Sequence, residues 1–141
     1  VRAELPGFIT PDPAVIASLD ALAEAEVELA VVSNGGGQTQ RAKLRAAGID
    51  HTRFRSLSIS AEFGVAKPGP AIFRRALAAL QVEAGAAIMI GDSPHEDIAG
   101  AATLALRSCW ISRGAPYPSG APEPTWRTPD FPGAARVLLA L

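Results

Sequence analysis

Five polar residues stand where an apolar run gives way to a turn, and their types suit phosphate chemistry. Ser33 and Asn34 close the run VELAVVSN, Lys67 precedes Pro68 in a loop, and Asp92 follows the run AAIMIG with Asp97 five residues on. A hydroxyl and free amides can hold phosphate oxygens, a lysine can neutralise their charge, and one or two carboxylates can hold a hard cation such as magnesium. Taken singly, each has a plainer reading. A Ser-Asn pair before glycines makes a strand-to-helix turn, a lysine before proline is a solvated loop lysine, and an aspartate after Gly91 is a helix N-cap. Their order, spacing and strand-end position agree at once, and that agreement carries the argument.

For such residues to converge, the chain must deliver several strand ends to one edge of one sheet. Apolar runs alternate with helical periodicities along it, the pattern of repeated strand-helix units around a mostly parallel sheet, which is a doubly wound α/β domain. Ligands of such sheets bind beyond the carboxyl ends of the strands, where helix N-termini and loop amides gather. The first helix is expected from Asp12 as N-cap with Pro13 at its first position, and Val15, Ile16, Leu19 and Leu22 mark one face. A strand over 27–34 stops at Gly35, and a helix over 38–47 follows with Gly48 to cap it. A second strand falls within 56–60. After the Lys67 loop comes a helix with Ile72, Phe73, Ala76, Leu77 and Leu80 on one face, then a strand over 86–90, a short helix from Asp97 and a strand over 107–112. The segment 114–132 is rich in proline, glycine and serine and reads as loop with a short strand at 125–127, and a helix over 133–141 closes the chain. There is no internal repeat and no low-complexity tract.

Length and composition bound the answer. With 141 residues, 48% hydrophobic and 19% charged, the chain suits one domain with a real core. A net charge of -1 gives no reason to expect a nucleic-acid or anionic-membrane partner. The single Cys109 builds neither a disulfide nor a cysteine metal site, which favours a cytoplasmic setting. No apolar stretch approaches the roughly 20 residues that span a bilayer, and the N-terminus lacks the order of a signal peptide. The one methionine, Met89, lies in mid-chain, so Val1 is not an initiator and further sequence is expected upstream.

The three polar segments resemble known motifs. VVSNGG is similar to the second motif of the haloacid dehalogenase (HAD) superfamily, EFGVAKPGPAIF to its third and GDSPHEDIAGA, the most specific, to its fourth. The resemblance covers the chain from the helix at Asp12 through the terminal DFPGAARVLLAL. It implies a three-layer, Rossmann-like core and a set of roles. Ser33, the Asn34 amide and Gly35 would bind the transferring phosphoryl group, Lys67 would stabilise its charge and the nucleophile's, Asp92 would bind Mg²⁺, and Asp97 would support the metal or its waters. True dehalogenases of the superfamily carry a Ser-Asn pattern where this chain has Gly91 and Asp92. The resemblance therefore favours phosphate chemistry over carbon-halogen chemistry.

The family's first motif is a strand ending in DxDx(T/V), whose first aspartate attacks phosphorus and whose second acts as general acid and base. No DxD occurs here, the aspartates being Asp12, Asp20, Asp50, Asp92, Asp97 and Asp130. In the family this strand is central in the sheet and precedes the helix at Asp12, with a cap segment between them. Residues 1–141 are thus expected to form a single, incomplete HAD-like core with a gap between the strands at Val27 and Ala86. A smaller departure is Ala105, where the family pattern has a glycine, and a left-handed alanine costs about 1 to 2 kcal/mol.

Other residues take the bland reading. His95 reads as a solvated loop histidine, His51 follows a turn, and two histidines and one cysteine at scattered positions make no zinc site; Cys109 and Trp110 belong to the core, and Arg74 and Arg75 face solvent. The function expected is that of a fragment of a Mg²⁺-dependent phosphatase, acting on a small phosphorylated metabolite through an aspartyl-phosphate on a residue supplied from upstream. The alternative is a non-catalytic phosphate-binding or interaction domain without that nucleophile. A two-component receiver domain shares the strand-end acids and the lysine but lacks the acidic pair and phospho-accepting aspartate in the right order. Substrate identity and oligomeric state are not legible.

Overall fold

The computed structural model describes residues 11–141. Helix α1 (Pro13–Glu24) starts where its signals stand, with the Asp12 carboxylate accepting from the Ala14 N–H at 2.9 Å and Pro13 in the first turn. Strand β1 (Val31–Ser33) leads into α2 (Gly37–Ala46), and β2 (Leu57–Ile59) runs directly into a one-turn helix α3 (Ser60–Phe63). Then follow α4 (Pro70–Leu80), β3 (Ile88–Gly91), a wide helical turn over Pro94–Ile98 that continues as α5 (Ala99–Thr103), β4 (Arg107–Ile111), β5 (Trp126–Thr128) and α6 (Phe131–Leu139).

Every strand pairing is parallel, with β1 beside β2 in one sheet and β3, β4 and β5 in order in another. Strand alternation sends Leu29, Val31, Ile88, Ile90, Cys109 and Ile111 to one face, where they meet α1, α2 and α6. Ala30, Val32 and Met89 point the other way, onto Ile72, Phe73, Ala76 and Leu80 of α4 and Ala101 of α5. Three layers result, as expected. The strands of both sheets share the two cores, β1 contributing Val31 and Val32 and β3 contributing Ile88, Met89 and Ile90. Among the described residues these two strands are not hydrogen-bonded neighbours. A small void against α4 is lined by Val32, Phe73, Leu77, Leu80, Met89 and Leu106 among others.

Several boundaries differ from expectation for local reasons. The run 27–34 is strand only from Val31, because backbone pairing with the β2 segment begins where Arg55 N–H meets the Leu29 carbonyl and Val31 N–H meets the Ser56 carbonyl. Residues Ala84–Ala86 make a tight turn that delays β3 to Ile88. The helix expected from Asp97 begins at Pro94, since the Ser93 hydroxyl accepts from the Glu96 N–H and caps the turn. Helix α6 starts at Phe131 rather than at Gly133, because Asp130 caps it by accepting from the Gly133 N–H at 2.8 Å. The short α3 occupies residues where the sequence pattern predicts the end of a strand and a loop. Arg74 and Arg75 are exposed, and Arg75 lies 3.5 Å above the Phe63 ring of that helix.

Candidate active site

Ser33, Asn34 and Gly35 leave β1 at its carboxyl end. The register sets Ser33 beside Ile59, so the two strands finish together and the next residues cross-link: Gly35 N–H donates to the Ser60 hydroxyl at 3.0 Å, and Ala61 N–H donates to the Gly35 carbonyl. Ser33 is buried, and its hydroxyl makes a long 3.4 Å bond to the Asn34 carbonyl. Gly35 has φ of 144° and the Gln40 side chain folded against it, so a side chain there meets strain and collision together.

Asn34 explains how Lys67 comes to this strand end. Its side-chain amide donates to the Lys67 carbonyl at 3.0 Å and its side-chain oxygen accepts from the Lys67 N–H at 2.9 Å. One side chain thus satisfies both backbone groups of a residue 33 positions away. The solvated-loop reading of Lys67 is overturned, since its side chain is 0% exposed and its ammonium donates to Asp97 Oδ1 at 2.6 Å.

Asp97 is equally buried, and its other oxygen, Oδ2, accepts from the Ser93 N–H at 3.1 Å. Gly91 makes this placement possible. A Cβ at that position would stand 2.1 Å from Asp97 Oδ2, so the carboxylate occupies space that any other residue would fill. Glu96 Oε2 lies 4.0 Å from the Lys67 ammonium at the more exposed side. Asp92 follows β3 with a partly exposed carboxylate, and its carbonyl accepts from the Trp110 indole N–H at 2.9 Å. Its carboxylate oxygen Oδ2 is 4.0 Å from Arg113 Nε.

The structure thus ties Asn34, Lys67 and Asp97 into one chain of contacts at the carboxyl ends of β1 and β3, the edge where ligands of parallel sheets bind. Ser33 at the end of β1 and Gly35 just after it lie to one side, and Asp92 follows β3 directly. Sequence reasoning missed Ser60, Ser93 and Arg113. Ser93 before Pro94 carried a cap signal, whereas Ser60 and Arg113 carried none.

The family model of the haloacid dehalogenase-like hydrolases matches residues 2–104. The chain belongs to this family. It is 43% identical over 96 residues to a phosphoserine phosphatase of Thermus thermophilus, covering 66% of this chain and 38% of that protein. Over 124 residues it is 36% identical to a glyceraldehyde 3-phosphate phosphatase of Methanopyrus kandleri, covering 88% of this chain and 52% of that one. The crystal structure of a HAD phosphatase from Thermococcus onnurineus superposes with a TM-score of 0.79 at 27% identity, over 90% of this chain and 57% of that chain. This HAD-like chain therefore spans between 38% and 57% of the length of these relatives. No helix among its described residues is long and apolar enough to cross a membrane.

The donor chemistry suits magnesium better than a softer ion. Among the described residues no cluster of three His, Cys, Asp or Glu side chains forms a protein-built metal cage. Mg²⁺ does not need one, because it keeps several waters and takes one or two carboxylates together with substrate phosphate oxygens. Asp92 fits that demand as a hard, partly exposed donor. Asp97, already holding Lys67 and the Ser93 amide, fits a supporting place beside the ion.

Proposed function

We propose that this chain is the phosphate- and cation-binding part of a Mg²⁺-dependent phosphoric monoester hydrolase acting on a small phosphorylated metabolite. The observation that carries the reading is the buried chain from Asn34 through Lys67 to Asp97 beside the Asp92 carboxylate. It sets a buried cation close to a partly exposed acid at the carboxyl ends of β1 and β3. Relatives named as phosphatases support the same class.

On this reading the Ser33 hydroxyl and the amides after it hold the phosphoryl oxygens. Lys67 keeps donors beyond the one given to Asp97, and it offsets the charge of the phosphoryl group. Asp92 would hold a magnesium ion with Asp97 in support, and the ion when bound would supply charge neutralisation for the phosphoryl group. The attacking carboxylate comes from a segment outside residues 11–141, which seats an aspartate between β1 and β3 and carries the aspartyl-phosphate. The protein works among soluble metabolites of the cytoplasm.

The test is an amide-resolved NMR titration of the chain with orthophosphate, with and without Mg²⁺. Shifts at the amides of Asn34, Gly35 and Lys67 that require Mg²⁺ are expected, and they vanish in Asp92→Asn. Shifts that are absent, or scattered away from the ends of β1 and β3, overturn the reading.

A further inference from the structure

The register of β3 and β4 ends with Gly91 beside Trp110, so Asp92 is the first residue past the ladder. On β4 the side chains of Cys109 and Ile111 enter the core against α1, α2 and α6, and alternation sends Trp110 to the opposite face, the one that Gly91 shares. There Trp110 is 4% exposed, and its indole N–H donates to the Asp92 carbonyl at 2.9 Å. A side chain of β4 thus continues the hold of one strand on the other for one residue beyond the backbone pairing.

The indole is itself fixed. The Tyr117 ring packs edge-on against it, with centroids 4.8 Å apart and planes at 75°. Tyr117 is set in turn by the Arg127 guanidinium, 4.8 Å from its ring centroid, and by its hydroxyl, which donates to the Pro122 carbonyl. The proline-rich segment after β4 is thereby folded back onto Trp110. A buried indole needs one acceptor for its N–H, and any nearby carbonyl would satisfy it. The acceptor here belongs to the acid at the end of β3.

We propose that Trp110 is a positioning residue for the cation-binding acid, its indole fixing the Asp92 backbone so that the carboxylate stands ready at the end of β3 for a divalent cation. The inference rests on the reading of Asp92 as that acid. A carboxylate on a fixed backbone gives up less freedom when it takes an ion, so the indole bond raises affinity without touching the ion. By linkage the effect is reciprocal: a bound cation strengthens the indole bond by the same factor.

The experiment uses the 141-residue chain and two readouts, Mn²⁺ binding by water-proton relaxation and NMR exchange of the two indole protons with and without Mg²⁺. Trp110→Phe, which keeps an apolar ring beside Tyr117 but loses the donor, is expected to bind Mn²⁺ about two- to tenfold more weakly, the range of one hydrogen bond's net worth. Trp126→Phe, on β5, stays at wild type. In the wild-type chain the Trp110 indole proton exchanges more slowly by a similar factor once Mg²⁺ is bound, whereas the Trp126 proton does not respond. Asp92→Asn abolishes both the binding and the slowing. The exchange readout needs no Trp110 variant, so it decides alone where Trp110→Phe does not fold. If Asp92→Asn loses the site while Trp110→Phe binds Mn²⁺ as the wild type does, or while the Trp110 proton ignores Mg²⁺, this inference is wrong and the cation assignment stands. If Asp92→Asn binds Mn²⁺ like the wild type, both fall.

Discussion

The Lys67 ammonium sits 2.6 Å from Asp97 Oδ1, and both side chains are wholly buried. An ion pair in such surroundings contributes little net stability, but removing one member leaves the other a buried charge without its nearest opposite charge. Lys67→Met or Asp97→Asn alone is therefore expected to destabilise the fold by about 3 to 5 kcal/mol. The double variant should lose clearly less than the sum of the two, as read by urea unfolding. Additive losses would mean that the two groups do not depend on each other.

Gly91→Ala should be poorly tolerated although it adds one methyl group. Its Cβ would stand 2.1 Å from Asp97 Oδ2, and that carboxylate is held by Lys67 and by the Ser93 amide. Overpacking of this kind costs about 1 to 3 kcal/mol. Thermal unfolding checks it, and a wild-type midpoint would show that Asp97 can move away freely.

Asn34→Ala should loosen the Lys67 loop before anything else. It leaves the Lys67 N–H and carbonyl without their partner, at a cost of about 1 to 3 kcal/mol for each group left unsatisfied and shielded from water. Hydrogen exchange at the Lys67 amide is expected to quicken while amides in β4 keep their protection. Uniform quickening across the sheet would instead mark general destabilisation.

Much of this was legible because strand-end residues announce themselves. A polar residue after a β-branched run, such as Asn34 after Val31 and Val32 or Asp92 after Ile90 and Gly91, is placed at the rim by the strand itself. The pattern that set Leu19 and Leu22 on one face of α1 likewise names buried residues. Lys67 was legible in position but not in state. A lysine before a proline looks the same whether solvated or buried, and its burial depends on Asn34 and Asp97, which lie 33 and 30 positions away. Arg113 was hidden for the same reason, since its partner Asp92 is brought close only by β3–β4 pairing.

Ala105 supplies a prediction in the opposite direction. It adopts φ of 56° at the end of α5, where its N–H closes on the Ala102 carbonyl, so the family's glycine position is here a strained alanine. Relief of about 1 to 2 kcal/mol, less the greater freedom of glycine in the unfolded chain, leaves Ala105→Gly more stable by about 0.5 to 1 kcal/mol. A lowered unfolding midpoint would contradict the assigned conformation.

The most direct test is kcat on p-nitrophenyl phosphate under saturating Mg²⁺, measured for this chain and for a protein in which a DxDx(T/V) strand precedes it. The account predicts no turnover by residues 1–141 alone, because none of their aspartates is placed to attack a phosphoryl group held by Ser33 and Lys67. In the longer protein, Asp92→Ala and Lys67→Ala should each lower kcat by roughly 100-fold or more, the usual effect of losing one charge contact to the transition state. Asp97→Ala should cost less than Asp92→Ala where the protein still folds. Multiple turnover by the 141-residue chain that Asp92→Asn abolishes, or near-wild-type kcat in Lys67→Ala, would contradict it.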